Sequence, residues 1–238
     1  MTTPTPSESR ELTFRLSESA PDVEALLLRP ADAGWLLVLA HGAGADMHHP
    51  FMETLARELA ACRVATFRYQ FSYMQHGRKR PDPPAVLTAT VRAAVAAAEA
   101  GSDLPLLAGG KSLGGRMTSL ALAEKPSSAS GKAEAGTRVR GLVFFGFPLH
   151  QPGRPGTQRA DHLERVTVPM LFLQGTRDTL ADLTLMRPLC AKLGPRATLQ
   201  TVDTADHSFH VLKRSGRTDA DVLHQLARTV ASWADALA

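Results

Sequence analysis

The chain predicts a doubly wound α/β fold on one mostly parallel sheet. Three observations carry this prediction. Short, nearly unbroken apolar runs at residues 35–40 (WLLVLA), 104–108 (LPLLA) and 170–174 (MLFLQ) lack the polar alternation of a half-exposed strand, as expected where a parallel sheet is covered on both faces. Segments with helical spacing lie between these strands. The strands also end in Gly, Ser, Asp or His, at the side where parallel sheets gather ligands. With 238 residues, 44% hydrophobic and 21% charged, there is material for one substantial core. We expect one domain over residues 11–238, preceded by a disordered Thr/Pro/Ser-rich tail over residues 1–10.

Taken in order, residues 12–16 (LTFRL) alternate like an edge strand, and 23–28 give a second strand before Arg29-Pro30. The strand at 35–40 runs into His41-Gly42-Ala43-Gly44. Residues 50–61 then read as a helix, with Pro50 suited to its first turn and Phe51, Leu55 and Leu59 at helical spacing. A strand at 64–69 leads to a long loop, 70–84, which is expected to be ordered at most in part. An Ala/Val helix over 85–100 precedes the strand at 104–108. Residues 125–138 read as a mobile Pro/Ser/Gly/Lys loop. A strand at 141–147 follows, then the strand at 170–174 and a helix over 180–193 interrupted at Pro188. The last strand covers 198–202, and a helix over 219–237 places Val222, Leu223, Leu226, Val230 and Trp233 on one stripe.

The densest chemical signal follows the strand at 104–108. Gly110-x-Ser112-x-Gly114 is the pattern of a nucleophile held up on a tight strand-to-helix turn, where the residues two before and two after the serine must be small. Gly110-Lys111-Ser112 also resembles the end of a phosphate-binding loop. Its first glycine would then stand at 105, which is Pro105.

A serine hydroxyl attacks at neutral pH only if a base takes its proton, and that base needs a carboxylate to set its tautomer. Asp178 follows the strand at 170–174, and His207 follows the strand at 198–202. Both therefore stand on the face that presents Ser112, and the order Ser112, Asp178, His207 is that of a known triad arrangement. Asp182 and Asp206 are the alternative acids and His210 the alternative base. An oxyanion needs two backbone donors, for which Leu113 and Ala43 are placed, while His41 reads as a structural residue of the Gly42/Gly44 loop.

These residues resemble an α/β-hydrolase over nearly the whole length, similar in layout to the dienelactone hydrolases and bacterial serine esterases. Phe67-Arg68-Tyr69, Gly146 through His150, and Gly175-Thr176-Arg177-Asp178 resemble a narrower group of small hydrolase-like proteins. That group includes a testis-expressed vertebrate protein and a histone acetyltransferase complex subunit. The resemblance implies the Ser112, Asp178, His207 triad, and we expect a serine hydrolase that cleaves a small or extended carboxylic ester or thioester through an acyl-enzyme. A dienelactone hydrolase proper carries a cysteine nucleophile where this chain has Ser112. Too few residues separate the strands at 141–147 and 170–174 to hold a helical cap, which disfavours bulky lipids. Arg68, Tyr69, Tyr73 and His150 are the expected substrate contacts. A non-catalytic binding scaffold and a prolyl-oligopeptidase-like peptidase are the alternatives.

The net charge of +4 is spread along the chain except at Arg78-Lys79-Arg80 and does not define a nucleic-acid surface. No apolar run approaches a membrane span, no secretory leader is evident, and Cys62 and Cys190 read as reduced thiols. The expected compartment is the cytoplasm, with no metal, cofactor, membrane or nucleic-acid partner.

Overall fold

A computed structural model describes residues 9–17, 21–124 and 138–237. One eight-stranded sheet has the order β1-β2-β4-β3-β5-β6-β7-β8. Its strands are β1 (Arg10–Arg15), β2 (Asp22–Leu28), β3 (Trp35–Ala40), β4 (Val64–Tyr69), β5 (Leu106–Lys111), β6 (Val139–Phe145), β7 (Met170–Gly175) and β8 (Ala197–Val202). The pairs β1/β2 and β2/β4 are antiparallel, and every later pair is parallel.

The period-two geometry of a strand divides the core between two faces. From β3, Leu36, Val38 and Ala40 pack with the helices α3 (Pro84–Gly101), α4 (Leu113–Ala123) and α5 (Leu183–Leu193). Trp35, Leu37 and Leu39 pack on the other side, with α1 (Pro50–Ala61) and α6 (Asp219–Asp235). Burial on both faces is what makes these strands apolar throughout. Among the described residues no separate cap covers the sheet; between β6 and β7 lies a short 3-10 stretch, Gln158–Arg165, packed against α4.

Several boundaries differ from the sequence reading. β5 extends to Lys111, because Gly109 and Gly110 continue the ladder to both neighbouring strands. β6 ends at Phe145, two residues early, where Gly146 takes a positive φ of 71°. α5 begins at Leu183, since Asp182 caps it by accepting from Thr184 N at 2.8 Å, and it runs unbroken through Pro188.

The loop at 70–84 is more structured than expected. It contains a helical turn, α2 (Ser72–Gln75), tied to β2 by Gln75, whose Nε2 donates to Asp22 O at 2.8 Å. Arg78 and Asp82 close its far end at 2.7 Å. Most of the tail (1–8) and of the loop read at 125–138 (125–137) lie outside the described residues. Arg10, counted with the tail in the sequence reading, pairs with Leu27 in β1. Cys62 and Cys190 are free thiols, and burial pushes Cys190 up to about 11.

Candidate active site

Ser112 stands between β5 and α4 with φ 49° and ψ −116°, a conformation L-residues rarely hold. The crowding that imposes it is measurable at the flanking glycines. A Cβ on Gly110 would lie 2.5 Å from Ala40 O, and one on Gly114 would lie 2.5 Å from His41 O. Only glycine fits at either position, which accounts for the spacing read from the sequence.

Two turns at the carboxyl ends of β7 and β8 bring the partners. Ser112 Oγ lies 2.9 Å from His207 Nε2, and His207 Nδ1 lies 2.7 Å from Asp178 Oδ2. A carboxylate only accepts, so the Nδ1–H donates to Asp178, which leaves Nε2 to accept the serine proton. Asp178 is held in turn by Leu180 N, donating to Oδ1 at 2.8 Å, and by Gln174 Nε2, donating to Oδ2. Its side chain is fully buried, while the His207 ring keeps 23% exposure. The acid is thus shielded and the base accessible.

The other candidates have different partners. Asp182 caps α5. Asp206 accepts from Ser208 N and His210 N within its own turn. His210 pairs with Asp219, a hydrogen bond that raises its pKa. His41 is buried; its Nε2 accepts from Phe71 N at 3.0 Å and its Nδ1 donates to Gly42 O at 2.9 Å. Desolvation lowers it to about 4, so it is neutral and braces the Gly42 loop.

That loop approaches Ser112 closely. A Cβ on Gly42 would stand 3.7 Å from the Ser112 Cβ, and Ala43 lines the same cavity as Ser112 and His207. Leu113 is the first residue of α4, whose amide has no acceptor within the helix. The cavity holds about 500 Å³, with an apolar wall of Phe51, Met52, Phe209 and Leu223.

None of the four expected substrate contacts lines this cavity. Arg68 is buried, with Nη1 donating to Met47 O at 2.8 Å. Tyr69 packs edge-on against Phe14 and Phe71, and Tyr73 stacks on Phe71. His150 Nε2 accepts from Asp182 N at 2.9 Å. All four are taken up in bracing the loops around the site: Arg68, Tyr69 and Tyr73 because β4 and the segment after it are buried, and His150 through its bond to Asp182. Sequence reasoning missed Gln174, Phe51, Phe209 and Lys111. A polar residue at the end of an otherwise apolar, fully buried strand was the available signal for Gln174.

A sheet of this order with a serine on a strained turn after β5 defines the α/β-hydrolase class of fold. Within that class, the profile of a family described as an alpha/beta hydrolase domain matches residues 33–235, and the chain belongs to that family. Solved structures agree on the fold. A dienelactone hydrolase from Anabaena variabilis superposes with TM-score 0.70 at 18% identity, over 96% of this chain and 97% of its own. A serine hydrolase without a lid from Xanthomonas campestris gives 0.69 at 21% identity over 98% of both chains. The esterase domain of a Rhodothermus marinus protein gives 0.67 at 18%, over 95% of this chain and 98% of its own. No helix among the described residues is long and apolar enough to cross a membrane.

Proposed function

We propose that this chain is a serine hydrolase that cleaves a small or extended carboxylic ester or thioester through an acyl-enzyme. One observation carries the reading: the continuous relay from Ser112 Oγ through His207 to the buried Asp178, opening on a cavity. Ser112 Oγ attacks the carbonyl carbon and passes its proton to His207 Nε2. The resulting imidazolium, stabilised by Asp178, returns that proton to the departing alkoxide or thiolate as the acyl carbon–heteroatom bond breaks. Water then repeats the sequence and frees the acid. The amides of Ala43 and Leu113 hold the oxyanion in both halves.

The apolar wall and the cavity volume suit a compact acyl or leaving group. Without a cap, short acyl chains are expected to turn over faster than palmitoyl. The dienelactone hydrolase and esterase named among the similar folds are consistent with ester cleavage. The test is labelling with a fluorophosphonate followed by peptide mapping. We expect the adduct on Ser112; an unlabelled Ser112, under conditions that label a known serine esterase, would falsify the reading.

A further inference from the structure

We propose that Lys111, the residue directly before the nucleophile, is a positioning residue that sets the His207 imidazole by holding the His207 carbonyl. The inference rests on the serine-hydrolase reading and adds a part to it. Lys111 Nζ donates to His207 O at 2.6 Å. The turn that carries His207 is otherwise largely closed on itself. Asp206 N donates to His210 O, Phe209 N donates to Asp206 O, and the Asp206 carboxylate gathers the amides of Ser208 and His210. Among the described bonds, Lys111 is the only partner of the His207 backbone.

The same turn carries Thr204 and Phe209 at φ 58° and 66°, conformations that persist only where the surroundings impose them. The imidazole must meet Ser112 and Asp178 together, and a shift of about 1 Å at such a group can cost 10²-fold in rate. A tie from the residue next to the nucleophile links the two halves of the relay directly.

Lysine suits this span. From the end of β5 it reaches past the end of β6, where Gly146 leaves the way open: a Cβ there would lie 3.2 Å from Nζ and 3.4 Å from the His207 ring. The ammonium stands 5.8 Å and 5.6 Å from the ring centres of Phe51 and Phe209, which are stacked 6.0 Å apart. Burial draws Lys111 down to about 8, against the pull of Asp178 and Asp206, so it is still charged at neutral pH. His49, His210 and Asp219 line the same cavity.

The test compares Lys111→Met, which keeps the stem but loses charge and donors, with Lys111→Arg, which keeps both. The readouts are Tm, the rate of fluorophosphonate labelling of Ser112, and the kcat and KM of ester turnover. Loss of a charged hydrogen bond predicts a roughly ten- to hundred-fold drop in labelling rate and kcat for Lys111→Met. We expect KM to change little while kcat falls. Lys111→Arg should restore most of the rate. Wild-type labelling rate and kcat in Lys111→Met would overturn the proposal. If Lys111→Met does not fold, Lys111→Gln takes its place with the same readouts, and unfolding of both would make Lys111 a structural residue only. An unlabelled Ser112 in the wild type would instead remove the underlying reading, before Lys111 comes into question.

Discussion

Among the described residues two serine–histidine pairs involve α4, and on the proposed reading only the first moves a proton toward its histidine. At the helix start, Ser112 Oγ faces His207 Nε2, and Asp178 holds the Nδ1–H. Two turns into the helix, Ser119 Oγ lies 2.7 Å from His162 Nε2 and also donates to Arg116 O at 2.9 Å. A carbonyl only accepts, so the single hydroxyl proton of Ser119 goes to Arg116 and His162 must donate to the serine. The shorter contact is therefore the one with its proton reversed. Burial, with Arg116 and Arg165 nearby, lowers His162 to about 4. Ser119 is completely buried. The difference shows that a close Ser–His contact does not make a nucleophile. The third partner decides the direction of the proton, and the backbone decides whether substrate can arrive.

The sharpest way to break this comparison is to remove each hydroxyl. Ser112→Ala is expected to lower turnover by roughly 10⁴-fold or more at unchanged Tm. Ser119→Ala should leave turnover per folded molecule near wild type and cost about 1–3 kcal/mol of stability, since His162 loses a buried partner. Ester turnover and thermal melts decide it, and a dead Ser119→Ala with an active Ser112→Ala would reverse the assignment.

The acids give the next effect. Asp178→Asn should lower turnover by roughly 10³–10⁴-fold, because an amide no longer imposes the correct histidine tautomer. Asp182→Asn keeps an N-cap of equal quality and should alter neither turnover nor Tm appreciably. Turnover and Tm of both variants check this; a dead Asp182→Asn would move the acid.

Much of this was legible in the sequence, for identifiable reasons. The apolar runs gave the central strands because burial on both faces leaves no room for polar alternation. Glycines two before and two after Ser112 marked the elbow, since a Cβ at either would lie 2.5 Å from a carbonyl oxygen. Asp178 and His207 were chosen because they follow strand ends in the order of a known triad. What could not be read were side chains whose partners lie far along the chain. Tyr73 and Arg68 sit in a segment that composition marks as a solvent-facing loop and its preceding strand, yet they are buried against His41, Phe71 and Met47. Lys111 was read as the spacer of a motif, and its partner lies 96 positions away.

Acid should reveal the buried His41 and His162 through stability. His41 and His162 are both held near 4, below the 6.5 of a free imidazole. The unfolded chain therefore binds more protons than the folded one between these values, and stability falls as pH drops through that window, levelling off below it. We expect Tm to decline by several degrees from pH 6.5 to 4. His162→Gln should flatten part of that decline, and an unchanged slope would show that His162 is not buried in its neutral form.

The smallest effect concerns a side chain that sequence reasoning placed against substrate. The Tyr73 hydroxyl is buried without a hydrogen-bond partner among the described residues, and its ring stacks on Phe71, which is itself held by His41. Burial, with Asp82 adding to it, pushes its ionisation up to about 12, so the hydroxyl is a neutral group left unpaired. An unpaired buried hydroxyl costs roughly 1–3 kcal/mol, and Tyr73→Phe removes it while keeping the ring. At about 2–4 °C per kcal/mol for a chain of this size, Tm should rise by a few degrees. Ester KM should stay at the wild-type value, because Tyr73 does not line the cavity that holds Ser112 and His207. A several-fold rise in KM without a gain in Tm would place Tyr73 against substrate, and the accessible surface of the site would then extend past the His41 loop into α2.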